Sequence, residues 1–267
     1  MTVLSCPCLI LYTMAETTMT QPPVVDPALH LPTPEVTSDS TDRPTRRRSF
    51  RGLSLEQRQQ ARRDRLIEAG LQVYGTQGFL AVTVRDVCAE AKLTERYFYE
   101  SFKNSEQLFK VIYLQLIERL QRLIMESMMH AAGDPRRMIE AGLRAFLHSL
   151  HDDPRMARIL FLDAILVHEL HGNAIHESVA RFDRMTQAFI MLMLPHETRS
   201  HTQMSLVSTG LNGYVTHIAI RWVLGGFREP LEDVMTACQL VYHAFLDMMK
   251  HVDECNDRTK AATVSKG

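Results

Sequence analysis

The sequence predicts an all-α protein of about nine helices, on the evidence of its periodicity and its punctuation. Apolar residues recur at helical spacing through most of the chain after residue 52, and no segment alternates as a half-buried strand does. Asp134-Pro135 and Asp153-Pro154 each place proline at a first helical position behind an aspartate N-cap. Gly225-Gly226 is expected to end a helix. With 267 residues, 45% of them hydrophobic, the chain suffices for one large domain or two smaller ones.

The first 52 residues are predicted to be a disordered extension that ends in a basic arm. Residues 1–42 contain six of the 11 prolines, five acidic residues and no Lys or Arg. The arm, residues 43–51 with the sequence RPTRRRSFR, has five arginines and no helical period. We expect it either to add affinity for a polyanion or to stay solvated.

Charge is segregated along the chain, although the net charge is only -1. Residues 43–103 hold 13 basic and 7 acidic groups, whereas 104–267 hold 17 and 19. A basic segment between two acidic ones indicates a polyanion-binding region joined to another domain. No stretch approaches the roughly 18 apolar residues that span a bilayer, so no membrane segment is expected. Five irregularly spaced cysteines indicate a reducing cytoplasm rather than a disulfide framework.

The basic region begins with a long helix, followed by two short ones. The long helix is predicted to start after Ser54 and to be closed by Gly75 and Gly78. Its expected apolar face follows i, i+3, i+4, i+7 spacing: Ile67, Gly70, Leu71 and Tyr74.

The two short helices are predicted within residues 83–102. Thr83 is expected to cap the first of them, with Asp86 as the reciprocal acid of a capping box. The first short helix has one apolar face: Val84, Val87, Cys88 and Ala91. A tight turn at Lys92-Leu93 leads to Thr94, the expected N-cap of the second helix. Phe98 and Phe102 of the second helix face inward, and basic and aromatic residues point elsewhere, which is typical of a helix-turn-helix.

Residues 55–115 resemble the N-terminal domain of the TetR family of bacterial transcriptional regulators. The matching positions are Gly78 and Phe79 after the first helix, Thr83, the turn Leu93-Thr94, Tyr99 and Phe102 of the recognition helix, and Lys103–Leu108 at the start of the fourth helix. Lys92 departs from the family's usual glycine and is expected to adopt a left-handed conformation. Ser101 replaces the common histidine and Tyr97 a small residue, which implies an unusual base preference.

The helix-turn-helix supplies the candidate DNA contacts. Hydroxyl and ammonium groups suit phosphate contacts, which fix the register of a protein on DNA. Arg96 is the best candidate for a base contact, bidentate to guanine, and Tyr97 for contact with a thymine methyl. The full set of candidate DNA-binding residues is Thr83, Arg85, Thr94, Arg96, Tyr97, Tyr99, Ser101 and Lys103.

The second half of the chain is predicted to contain six helices, at about 105–131, 135–151, 155–171, 174–194, 200–224 and 230–252. Twelve of the 15 methionines lie there, which suits loose core packing or an adaptable ligand cavity. Polar groups expected to line such a cavity include His148, His168 and Arg181. The effector is expected to be an apolar or aromatic small molecule.

The last two long helices carry apolar stripes that are typical of a helical interface. One stripe is Leu206, Gly210, Gly213, His217 and Leu224, and the other is Leu231, Val234, Cys238, Val241, Phe245 and Met248. In the TetR family the corresponding helices form a four-helix bundle across a two-fold axis, which implies a homodimer. The alternative is that both stripes only close the core of one protomer.

We therefore expect a homodimeric, cytoplasmic transcriptional repressor that a ligand releases from a palindromic double-stranded DNA operator. Its predicted segments are the extension 1–52, the DNA-binding domain 53–115, the ligand-binding and dimerisation domain 116–253, and a disordered tail 254–267. A nucleoid-associated protein of the same fold that binds many sites is the alternative. An enzyme is disfavoured because the G-x-S-x-G, Walker A and G-x-G-x-x-G motifs are absent. No cofactor is expected, and no metal, since His168 and His171 are not spaced as H-E-x-x-H.

Overall fold

The structure, a computed structural model, describes residues 54–131, 133–170, 173–193 and 200–264. The predicted extension with its basic arm lies outside these residues. The described part is helical throughout and contains nine α-helices and no strand, which confirms the predicted all-α class. None of its helices combines the length and the apolar character that crossing a membrane requires.

The N-terminal helices are α1 (Leu55–Gln77), α2 (Val84–Ala91) and α3 (Glu95–Ser101). The helices that follow are α4 (Ser105–His130), α5 (Pro135–Asp152), α6 (Pro154–Arg158), α7 (Ala174–Met193), α8 (His201–Leu224) and α9 (Leu231–Val264). One π-helical turn, Ile159–Asp163, and two 3₁₀ turns, Ala164–Leu166 and His168–Leu170, continue α6. The boundary predicted at 115/116 falls inside α4, so one continuous helix joins the two predicted domains.

Helix α1 begins where the sequence predicts, but its buried face is rotated. Ser54 and Gln57 form a capping box, with the Ser54 amide 2.8 Å from Gln57 Oε1 and the Gln57 amide 3.1 Å from Ser54 Oγ. The buried residues are Leu66, Ala69, Gly70, Val73, Tyr74 and Gly75. Ile67 and Leu71 are only half-buried, so the predicted face was partly wrong. Helices α2, α4 and α6 all pack on α1, and a face covered from several sides is not fixed by the helical period alone.

Proline and aspartate mark the starts of α5 and α6 as expected, by different bonds. The Asp134 carboxylate accepts a hydrogen bond from the amide of Arg136 at 2.9 Å and caps α5. Asp153 occupies the N-cap position of α6 without a capping bond. Its carboxylate instead accepts two hydrogen bonds from the Arg155 guanidinium, at 2.8 and 3.0 Å.

Helix α9 continues to Val264, twelve residues beyond its predicted end. The interpretation of residues 254–267 as a disordered tail therefore does not hold for 254–264, whose backbone is helical. The segment contains neither glycine nor proline, so nothing in it interrupts backbone hydrogen bonding once a helix has begun.

The first turn of the chain after α1 is fastened to the helices of the second half. The Phe79 amide donates to Asp163 Oδ2 at 3.1 Å, and Arg158 Nε lies 3.4 Å from the same oxygen. Gly78 has φ 93° and lies against Arg158, whose Nη2 would be 2.6 Å from a Cβ at that position. Gly75 lies against Arg155 in the same way. These contacts join the end of α1 and the turn after it to α6 and to the π-helical turn that follows α6.

Candidate nucleic-acid interface

The first helix of the motif is fixed at its N-terminus by a complete capping box. Thr83 Oγ1 accepts from the Asp86 amide at 3.3 Å, and Asp86 Oδ2 accepts from the Thr83 amide at 2.8 Å. The Thr83 hydroxyl also donates to Asp86 Oδ2 at 2.6 Å. The side-chain and backbone hydrogen bonds from Thr83 lower the pKa of Asp86. Asp86 thus keeps its charge at a helix N-terminus, where an anion is stabilising.

The turn between α2 and α3 is built on a left-handed lysine, as the sequence predicts. Lys92 has φ 54° and ψ 44°, and its amide donates to Ala89 O at 3.2 Å. The Leu93 amide donates to Cys88 O at 2.9 Å and completes the turn. Thr94 stands at the N-cap of α3, but its side chain makes no capping bond, which corrects that part of the prediction.

Helix α3 separates an inner aromatic face from an outer polar face. Phe98 and Phe102 are 0% and 2% exposed, as predicted, and pack with ring centroids 5.8 Å apart. The eight candidate DNA-binding residues all lie on α2, on α3 or at the ends of these helices. Six are exposed, namely Thr83, Arg85, Thr94, Arg96, Tyr99 and Lys103, whereas Tyr97 and Ser101 are half-buried.

Two ion pairs cover the outer face. Arg96 Nε lies 3.0 Å from Glu100 Oε1, one turn along α3, and the Arg96 side chain is 84% exposed. Arg85 Nε of α2 lies 3.4 Å from Glu95 Oε1 of α3. Exposed pairs of this kind contribute about 0–1 kcal/mol, so a phosphate or a base can displace the carboxylate.

Sequence reasoning missed two arginines of α1 that contact α3. Arg63 Nη1 donates to the Ser101 carbonyl at 2.7 Å, and its guanidinium lies 4.3 Å from the centroid of the Phe102 ring. The Arg62 guanidinium lies 4.5 Å from the centroid of the Tyr97 ring. In the sequence both residues belong to a polar run of α1, and nothing in that run indicates which helix they face.

The two predicted interface stripes have different surroundings. The α8 stripe is exposed along its whole length, with Leu206 64% and Leu224 65% exposed and open space beside Gly210 and Gly213. The α9 stripe is mostly inside the protomer: Val234 and Cys238 are buried, and Leu231, Val241 and Phe245 are half-buried. For α9 the alternative interpretation, closure of the protomer core, fits better because α5 and α8 cover that face.

The three polar residues expected to line a cavity differ in exposure. His148 and Arg181 are half-buried, near Asp152 and Glu177 respectively, and His168 is exposed. Their part in a ligand cavity stays a prediction. His171 lies outside the described residues, and the described part holds no cluster of three or more metal-ligating side chains.

A partly buried polar cluster connects α7, α8 and α9. Asp183 accepts hydrogen bonds from the Thr209 hydroxyl at 2.6 Å and the Asn212 amide at 2.8 Å. Asn212 Oδ1 accepts from the Thr186 hydroxyl at 2.9 Å and the Tyr242 hydroxyl at 3.1 Å. Burial raises the pKa of Tyr242 to about 12, so its hydroxyl remains a donor. Polar residues three apart on both α7 and α8 were the available sequence signal.

Comparison with known proteins supports the helix-turn-helix assignment. Residues 66–112 match the model of bacterial regulatory proteins of the tetR family. A transcriptional regulator from Pseudomonas aeruginosa PAO1 is structurally similar, with TM-score 0.60, 20% identity, and coverage of 72% of this chain and 92% of that one. The fatty acid degradation regulator FadR from Bacillus halodurans gives TM-score 0.59 at 16% identity, covering 67% and 93%. No curated protein sequence matches the chain.

The resemblance to the TetR family is thereby confirmed for the N-terminal domain. A TetR-family regulator from Rhodococcus sp. also shares the fold, with TM-score 0.55, 16% identity, and coverage of 69% of this chain and 98% of that one. The chain has the fold of TetR-family transcriptional regulators, with a DNA-binding helix-turn-helix domain followed by a helical domain.

Proposed function

We propose that the chain is a homodimeric, cytoplasmic repressor that binds a near-palindromic operator and is released by a small molecule. The observation that carries the proposal is the two-faced recognition helix α3. Its phenylalanines are buried in the domain, while Arg96 and Tyr99 are exposed on the opposite face of a motif whose first helix has a complete capping box. An outward basic and aromatic face on a short fixed helix suits insertion into a major groove.

The individual DNA contacts belong to the proposal. Arg96 reads a base edge, because a guanidinium can bond both acceptors of guanine in the major groove. Tyr97 contacts a neighbouring thymine methyl, and Tyr99, Lys103 and Thr94 bind phosphates. The Thr94 hydroxyl makes no capping bond, so it can donate a hydrogen bond to a phosphate. Thr83, Arg85 and Ser101 complete the contact surface, with Thr83 acting chiefly through the N-terminus of α2 because its hydroxyl is bonded to Asp86.

Selection of a binding site from random duplex DNA tests the DNA-binding part. We expect the full chain to select a symmetric site with half-sites about 34–36 Å apart or a multiple of that distance. Arg96→Ala should cost about 1–3 kcal/mol and relax base preference at one position per half-site. Arg137→Ala, which removes an equally exposed arginine of α5, is the matched control. The absence of any symmetric site among the selected sequences contradicts the proposal.

The proposed dimer forms through the exposed stripe of α8 together with the outer face of α9. Leu206 and Leu224 mark the ends of the α8 stripe, and Leu240 and Met248 of α9 are also more than half exposed. Apolar side chains in a row on a surface are a typical protein interface. Leu206→Glu should shift the chain to monomer in sedimentation velocity, whereas Leu80→Glu, at an exposed leucine outside the stripe, should not. A dimer that survives Leu206→Glu and Leu224→Glu together contradicts this interface.

The proposed effector binds among the helices of the second half and is apolar or aromatic. Six buried methionines give this core adaptable packing: Met128, Met138, Met156, Met204, Met235 and Met249. The Gln187 amide nitrogen is buried without a hydrogen-bond partner and suits a ligand acceptor. By linkage, a releasing ligand and the operator must weaken each other's binding by the same factor.

A further inference from the structure

Helix α3 depends on α1 for its position. It has seven residues, a length at which an isolated helix has little stability in water. Arg63 of α1 bonds the Ser101 carbonyl at its C-terminal end and covers Phe102, so Arg63 has a structural task. The neighbouring Arg62 contacts different groups.

Arg62 touches the two side chains that adjoin the proposed base contact. Its guanidinium lies 4.5 Å from the Tyr97 ring centroid, within the range of a cation–π interaction. Its Nη2 lies 4.0 Å from Glu100 Oε2. The other oxygen of Glu100 lies 3.0 Å from Arg96 Nε. One carboxylate is therefore shared between an arginine of the long helix α1 and an arginine of the recognition helix.

This arrangement has two consequences for DNA binding. Arg96 must leave Glu100 to reach a base, and a carboxylate left alone would face the phosphates of DNA. Arg62 remains beside Glu100 and offsets that charge. The Arg62 guanidinium also packs on the Tyr97 ring from a half-buried side chain of a 23-residue helix, which limits the orientations open to that ring.

We propose that Arg62 is a positioning residue for base readout, acting through Tyr97 and Glu100 on Arg96 from outside the helix-turn-helix. The inference rests on the proposed DNA contacts of Arg96 and Tyr97. It assigns part of the base preference to a residue of α1 that need not touch a base.

The test compares discrimination with affinity, using the full chain and the site that the wild type selects from random duplex DNA. Binding is measured on that site and on duplexes with one base pair changed at each half-site position. Arg62→Ala should lower the ratio of correct to changed-site affinity by about two- to fivefold at the positions read by Tyr97 and Arg96. The dependence of binding on salt should stay unchanged, since no phosphate contact is lost.

Two further variants separate positioning from folding and from general charge. Arg65→Ala removes the same charge one turn along α1, where Arg65 lines a cleft with Glu68 and Glu90, and should leave discrimination intact. In a Tyr97→Leu background, Arg62→Ala should change discrimination less than it does alone, because one of its partners is already gone. If Arg62→Ala lowers the melting temperature, the binding comparison is made with Arg62→Lys instead, because lysine keeps the charge but lacks the planar guanidinium.

Other results overturn the inference in distinguishable ways. If Arg62→Ala lowers the affinity equally for every duplex, and the slope of log affinity against log salt concentration becomes smaller by about one, Arg62 is a direct phosphate contact. Unchanged discrimination gives Arg62 no part in readout. A wild-type chain that selects no site contradicts the proposed function itself, and the inference fails with it.

Discussion

Removing the carboxylate of Asp163 should loosen the attachment of the DNA-binding domain to the helices of the second half. The Asp163 side chain is 7% exposed and lies in the π-helical turn that follows α6. It accepts a hydrogen bond from the Phe79 amide at 3.1 Å and lies 3.4 Å from Arg158 Nε. Asp163→Ala deprives both groups of their partner.

The contacts give the size of the effect. A hydrogen bond to a charged group contributes about 1.5–3 kcal/mol, and the ion pair with the partly exposed Arg158 adds up to about 1 kcal/mol. We therefore expect Asp163→Ala to lower the free energy of unfolding by about 2–3 kcal/mol. Asp163→Asn keeps an acceptor oxygen for the Phe79 amide but loses the charge, and should cost about 1 kcal/mol.

Urea denaturation followed by circular dichroism measures these values. The transition midpoint should fall while its slope stays constant, because the surface exposed on unfolding is unchanged. Asp152→Ala, which removes a carboxylate that is 68% exposed, is the control and should stay within about 0.5 kcal/mol of the wild type. A loss below about 0.5 kcal/mol for Asp163→Ala would refute the view that this bond holds the two domains together.

Three further predictions concern packing and protonation. Gly75→Ala should cost about 1–3 kcal/mol in urea, because its Cβ would lie 2.3 Å from Arg155 Cβ. Gly142→Ala should cost less, since the atoms nearest to its Cβ belong to the flexible Met128 side chain. Burial acts to raise the pKa of Asp153, but the hydrogen bond and charge of Arg155 outweigh it and lower that pKa. The ionised carboxylate therefore stabilises the fold above the unfolded-state pKa of about 4, and this effect is lost as pH falls through the lower folded-state pKa. Urea titrations should show the stability difference between wild type and Asp153→Asn shrinking below pH about 4. Burial raises the pKa of Cys238 to about 11, so iodoacetamide at neutral pH should label its peptide in urea and spare it in the folded chain, as mass spectrometry can show.

The helix-turn-helix was predictable because its determinants are local. A capping box links residues three apart, whereas the left-handed Lys92 was implied by the resemblance to a family that has glycine at this position. The inward position of Phe98 and Phe102 follows from the helical period. The same local rules place the start of α5 correctly, at Asp134.

The sequence by itself thus determined most of the helices, the caps of α1, α2 and α5, and the motif, since these depend on bonds between residues at most four apart. Only the tertiary structure decided which faces of the helices meet. The Arg63–Ser101 bond joins residues 38 apart and the Phe79–Asp163 bond residues 84 apart. Such contacts depend on the rotation and crossing of packed helices, which a one-dimensional period leaves undetermined. For the same reason two similar apolar stripes differ in burial. Helices α5 and α8 cover the stripe of α9, whereas the stripe of α8 is exposed.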